Sequence, residues 1–162
     1  MATRIRLVVY TLGIPGVLIG VLPWQVLRLE AAIANPLRTL LAYSGALLGL
    51  GGVLLIVSGA YYLVRRGDGT PFPFTPPQRM VVAGPYAYIQ HPIFLGLLAI
   101  AFGEALWFQS VGLSIYALLL TLLANLYIIH IEEPTLEKRF GDDYRAYRAA
   151  TPRWLPFGQR GT

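Results

Sequence analysis

Between residues 92 and 130 lie two predominantly apolar stretches that only Gln109-Ser110 clearly separates. A connection that short leaves two helices no arrangement but an antiparallel hairpin. Each arm, 92–108 and 111–130, approaches the ~20 apolar residues that cross a bilayer. A membrane hairpin returns the chain to the face it left, so the polar residues before 92 and after 130 should meet at one membrane surface.

Two more apolar stretches, 7–27 and 40–64, precede the hairpin. Only 13% of the 162 residues are charged and 56% are hydrophobic, against about 25% charged in ordinary soluble domains. The reading is an all-α integral membrane protein with four transmembrane helices, a tight C-terminal hairpin and short amphipathic C-terminal helices. It forms a single domain over residues 1–162, with no room for a separate soluble catalytic domain. The first stretch follows Arg4 and Arg6 but is long and has no small-x-small cleavage site after it, so it reads as a retained anchor. Pro15 and Pro23 should kink it or end it early. Gly16 and Gly20 in the first stretch, and Gly45, Gly49, Gly52 and Gly59 in the second, give small-xxx-small faces for close helix packing, which would also allow a dimer.

Cysteine is absent, which excludes disulfides, thiolate nucleophiles and cysteine-ligated metals. The net charge of +5 comes from twelve Arg and one Lys. These do not form one long patch, so no nucleic-acid partner is expected. With four spans, eleven of the thirteen cations fall on the side of both termini and of the 65–90 segment, and only Arg28 and Arg38 on the other. The excess places both termini and both polar segments, 65–91 and 131–157, in the cytoplasm. Gly67, Gly69, Pro71, Pro73, Pro76 and Pro77 argue against a regular element early in the first of these. Phe72 and Phe74 make it suited to lie on the membrane surface or cover a site.

Folding the hairpin about Gln109-Ser110 places His91 level with Ile128, Tyr88 with Ile131 and Tyr86 with Glu133, to within a helical turn. Tyr86, Tyr88, His91, His130, Glu132 and Glu133 should therefore share one layer at the cytoplasmic interface. A metal site is not expected there: adjacent glutamates diverge by about 100° on a helix, and no His-x-x-x-His or Glu-x-x-His spacing occurs. Leu136, Phe140, Tyr144 and Tyr147 mark one face of a C-terminal helix pair that breaks at Gly141, with Asp142 as the expected N-cap and Pro152 as the stop. Glu104 is an intramembrane acid, expected to snorkel to the far interface or to bond Ser114 or Tyr116. Asn125 is expected to bond between helices.

The motif Gly84-Pro85-Tyr86-Ala87-Tyr88-Ile89-Gln90-His91-Pro92, with Gly96, resembles the first motif of the isoprenylcysteine carboxyl methyltransferase and phospholipid methyltransferase superfamily, Gly-Pro-Tyr-x-Tyr-x-Arg-His-Pro-x-Tyr-x-Gly. Glu132, Glu133, Leu136, Phe140, Gly141, Tyr144, Tyr147, Arg153 and Pro156 match its second motif. Gln90 stands where that pattern has Arg, and Phe94 where it has Tyr. The resemblance implies S-adenosylmethionine as cofactor, bound between the last transmembrane helices and the C-terminal segment, and a lipid or small lipophilic acceptor entering from the bilayer. It implies Tyr88, His91 and Glu132 at the cofactor with Tyr86 nearby, Tyr144 and Tyr147 in the C-terminal cover, and Glu133 and Arg153 orienting or activating the acceptor. An amine or thiol acceptor would need a base, for which Glu133 and His91 are both candidates. Two alternatives stand beside methyl transfer. Membrane sterol reductases share a similar His-Pro-containing architecture with a nicotinamide cofactor, though on longer chains with more spans. A non-catalytic membrane scaffold of the same fold is the other.

Overall fold

The computed structural model describes residues 13, 16–29, 38–68 and 77–154. The expectations for Arg4, Arg6, Pro15, Phe72, Phe74 and Pro156 lie outside them. Among the described residues the regular structure is entirely helical. The helices are α1 (Leu22–Leu29), α2 (Arg38–Arg66), α3 (Pro92–Phe108), α4 (Val111–Tyr127), α5 (Glu133–Phe140) and α6 (Asp142–Ala150). A π-helical turn leads into α1 (Val17–Val21) and another into α5 (Ile128–Glu132), and a 3-10 turn (Gly84–Ala87) precedes α3. Thr39–Arg66 and Val111–Phe140 are long and apolar enough to cross a bilayer, while Val17–Arg28 and Pro92–Phe108 are shorter apolar helices. At 17 residues, α3 is about 25 Å long, short of the ~30 Å hydrocarbon core. Two of the four expected spans thus meet the length requirement by themselves.

Proline chemistry explains both π turns. The Leu22 N–H bonds to Val17 O and the Glu133 N–H to Ile128 O, each reaching five residues back. Each widened turn ends two residues before a proline, Pro23 or Pro134. A proline ring has no N–H and collides with the carbonyl four residues back in a regular helix; one extra residue before it redirects that carbonyl. Pro23 does not end the helix, which continues from the π turn through Leu22–Leu29.

The chain divides into two compact units, residues 1–54 with 96–121 and residues 55–95 with 122–162. In the first, helices meet through glycine. A Cβ on Gly52 would stand 2.5 Å from Gly96 O and 2.9 Å from the Ile100 side chain, and one on Gly103 would stand 2.7 Å from Gly45 O. The small-residue face of α2 thus packs on α3. A Cβ on Gly16 or Gly20 would meet nothing within 4 Å, so these two glycines, which also read as a packing face, make no such approach among the described residues. Leu98, Ala101, Ala105, Leu113 and Ala117 fill the core. The hairpin turn is as short as the sequence demands: Gln109 takes a φ of 54°, and the buried Ser110 caps α4 by accepting the Leu113 N–H at 2.8 Å.

The same unit holds Glu104, whose Oε2 is buried without a hydrogen-bond partner. The two hydroxyls expected to serve it are engaged elsewhere. Ser114 donates to Ser110 O at 2.9 Å and Tyr116 to Leu18 O at 2.7 Å. The second bond follows from Pro23. Leu22 has given its N–H to Val17 O and Pro23 has none to give, so the helix offers Leu18 O neither of its usual donors, and the Tyr116 hydroxyl takes their place.

The second unit carries both polar motifs. Gly84 has a φ of 63°, and the Tyr62 ring occupies the place of its missing side chain; both facts require glycine. Pro92 opens α3, as its sequence position predicts. Gly141, with φ 57° and ψ −125°, joins α5 to α6. Gly141 occupies the N-cap position of α6, so Asp142 is not the cap. It lies instead in the first turn, where it pairs with Arg145 and complements the helix dipole.

Candidate functional site

The site grows from the end of the hairpin. His91, the residue before α3, is 4% exposed. Its Nδ1 stands 3.3 Å from Glu132 Oε1 and its Nε2 stands 3.8 Å from Glu133 Oε1. The two adjacent glutamates diverge, as helix geometry requires, onto opposite edges of one imidazole. Glu133 is itself 4% exposed and is held by a forked pair of bonds from Arg153, Nε to Oε1 at 2.6 Å and Nη2 to Oε2 at 3.1 Å. A buried carboxylate needs such a partner. Arg148 adds a second guanidinium, 3.7 Å from Glu133 and 3.6 Å from Glu137. His91 Nε2 is buried and makes no hydrogen bond.

Aromatic rings wall this cluster. Phe94 meets the His91 ring edge-on at 6.2 Å, Trp154 lies 6.4 Å from it, and Tyr127 lies 5.8 Å from Phe94. The Trp154 indole donates to Asn125 at 3.3 Å. Asn125 therefore does bond at long range, though to the C-terminal segment rather than to a neighbouring hairpin helix.

A second group of tyrosines fastens the first motif. The Tyr147 hydroxyl donates to Tyr86 O at 2.7 Å and reaches Ile89 O at 3.4 Å. Tyr86 is buried; burial first, then the Glu132 charge and Tyr147, holds its hydroxyl well above the ordinary tyrosine range. Burial raises the Tyr147 hydroxyl as well, followed by Tyr144. Tyr144 is 2% exposed, its hydroxyl has no partner, and it is raised by burial and then by Glu133 and Glu132. All three stay protonated at neutral pH.

Of the residues singled out from sequence, His91, Glu132, Glu133 and Arg153 form one charged cluster, and Tyr86, Tyr144 and Tyr147 pack as one group. Tyr88, at 60% exposed, and His130, also exposed, contrast with the buried His91 and Glu133. Sequence reasoning missed Arg148 and the role of Gln90. Arg148 lies four residues beyond Tyr144, on the face that the tyrosines mark, and that spacing was the available signal. Gln90 is buried. Its Nε2 donates to Thr151 O and, at 3.4 Å, to Arg148 O, and its backbone N–H donates to Pro152 O at 3.0 Å. A cleft of about 470 Å³ opens beside it, lined by Arg148, Arg153 and the chain between them.

A model of the phospholipid methyltransferase family matches residues 40–143. An uncharacterized protein of Haemophilus influenzae is 35% identical over 63 residues, which are 39% of this chain and 100% of that protein. No solved structure matches the chain. The family match covers the first motif, the hairpin, the paired glutamates and Phe140-Gly141, and leaves Arg148 and Arg153 to be placed by geometry alone. Covering well over half of the sequence, it shows that the chain belongs to the phospholipid methyltransferase family, within the isoprenylcysteine and phospholipid methyltransferase superfamily.

Proposed function

We propose that this protein is a membrane methyltransferase that uses S-adenosylmethionine to methylate a lipid or small lipophilic acceptor at the cytoplasmic membrane face. The observation that carries the reading is the buried His91, set between Glu132 and the Glu133–Arg153 pair with its Nε2 unpartnered.

The residues present fit that cofactor. Glu132, which is 29% exposed at its side chain, suits a cationic or hydroxyl-bearing group; Arg148 and Arg153 suit a carboxylate. The buried and unpartnered His91 Nε2 and Tyr144 hydroxyl each lack the polar partner that buried groups ordinarily have. When bound, S-adenosylmethionine supplies a methyl carbon activated by its sulfonium. The protein's contribution is then chiefly positioning. In the neutral imidazole, a proton on Nδ1 facing Glu132 leaves Nε2 as an acceptor, able to take a proton from an amine or thiol acceptor. Glu133, clamped by Arg153, stands 3.8 Å from that nitrogen and can favour the positive charge that the imidazole gains on taking a proton. Phe94, Tyr127 and Trp154 keep the surroundings apolar, which strengthens each charge contact inside.

Taken with four spans, the Lys and Arg distribution supports both termini being cytoplasmic. The two shorter apolar helices would then cross with help from flanking residues or local thinning of the bilayer.

Incubating purified protein with methyl-labelled S-adenosylmethionine and a membrane lipid extract, then identifying the labelled product by mass spectrometry, tests the reading. Label is expected in a lipophilic product. The absence of both cofactor binding by calorimetry and methyl transfer to any extract would sink it.

A further inference from the structure

Gln90 occupies the position where the family pattern has Arg, and its surroundings explain what it does there. Helix α6 ends at Ala150, and Pro152 follows. In a continuing helix the carbonyl of Arg148 would accept from the residue four positions on, but that residue is Pro152, which has no N–H. Gln90 Nε2 reaches Arg148 O at 3.4 Å and also bonds to Thr151 O, while the Gln90 backbone N–H bonds to Pro152 O at 3.0 Å. One residue thus clasps the chain at 148, 151 and 152. Arg153 comes next, and its guanidinium grips Glu133.

We propose that Gln90 is a positioning residue: its side-chain amide pins the segment that carries Arg153, and so sets Arg153 onto Glu133 beside His91. The clasp is made of neutral dipoles and is therefore independent of ionic strength. The Arg of the family pattern carries donors that could reach the same carbonyls, but would bring a third guanidinium to a cleft already lined by Arg148 and Arg153. Gln supplies the donors without the charge. The effect on turnover rests on the methyltransferase reading; the effect on the segment does not.

The test uses the full chain in lipid nanodiscs, with Gln90→Met, Gln90→Arg, Arg153→Ala and the Gln90→Met/Arg153→Ala pair. Met keeps the length and removes both donors. For the segment, Gln90→Met should raise the rate of tryptic cleavage after Arg148 at least about tenfold, and Gln90→Arg should restore the native rate to within about threefold, each tenfold corresponding to about 1.4 kcal/mol. Native cleavage rates in Gln90→Met would overturn the proposal. For turnover, Gln90→Met should lower kcat/KM by about tenfold, and the double variant should be no worse than Arg153→Ala alone, because a residue acting through Arg153 has nothing further to lose. Additive losses would assign Gln90 a general structural role and overturn the positioning role. If the native protein transfers no methyl group, the methyltransferase reading falls, and the tryptic comparison still decides the clasp.

Discussion

In the unit that holds Gly45, Gly52 and Gly103, helices approach so closely that a glycine on one meets the backbone of the other. In the unit that holds His91 and Glu133, charged and polar side chains fill the space and bond to one another or to carbonyls. The first arrangement suits an apolar surrounding, where close van der Waals packing is what drives helices together. The second suits a boundary with water, where charge must be present for chemistry but must also be paired. The two should therefore fail under different insults: added volume for the first, lost charge or altered protonation for the second.

The largest effect should come from the polar unit. Glu133→Ala removes the partner of Arg153 and one neighbour of His91, and should lower kcat/KM for methyl transfer by at least ~100-fold, about 2.7 kcal/mol of transition-state stabilisation. Activity within tenfold of native would show that the cluster is scaffolding. Next comes the glycine face. Gly52→Leu should lower stability by about 2–3 kcal/mol through overpacking, while Gly51→Ala, whose Cβ would meet nothing within 4 Å, should leave thermal unfolding unchanged. Equal midpoints for the two variants would refute the close approach of α2 and α3.

The alkaline limb separates the two units again. Tyr86, Tyr144 and Tyr147 have hydroxyls raised above the ordinary value by burial. A raised folded value means that the unfolded chain releases its protons first, at about pH 10. The stabilisation is therefore whole below that pH and is lost above it, by up to about 1.4 kcal/mol per pH unit for each tyrosine. Thermal unfolding followed from pH 8 to 11 should show this fall, and Tyr147→Phe should make it shallower. A profile unchanged by that substitution would contradict the burial argument. The smallest effect is expected at Tyr116→Phe, which strips the Leu18 carbonyl of its donor and should cost about 1–2 kcal/mol. A shift in unfolding midpoint below detection would mean that the carbonyl finds another partner.

The grouping of His91 with Glu132 and Glu133 was legible because it follows from helix rise and a two-residue turn, both local properties. The partnership of Glu133 with Arg153 was not a matter of spacing: the family resemblance named both residues for the acceptor and did not pair them. What escaped the sequence were bonds that answer a missing one. Arg148 O and Leu18 O are exposed as acceptors by Pro152 and Pro23, and their donors, Gln90 and Tyr116, lie 58 and 98 residues away in the chain. No periodicity reports such a pair. The packing partner of the α2 glycines was equally hidden, because a small-residue face announces that a helix will be approached closely and says nothing about which helix will do so.

Tyr116 and Leu18 carry a consequence for how the first unit is aligned. A glycine face lets helices slide or rotate against one another with little penalty, since smooth surfaces hold no unique setting. A single hydroxyl that must find a single carbonyl removes that freedom. Pro23, by taking a donor away from its own helix, gives the chain an index mark against which α4 is set both in height and in rotation.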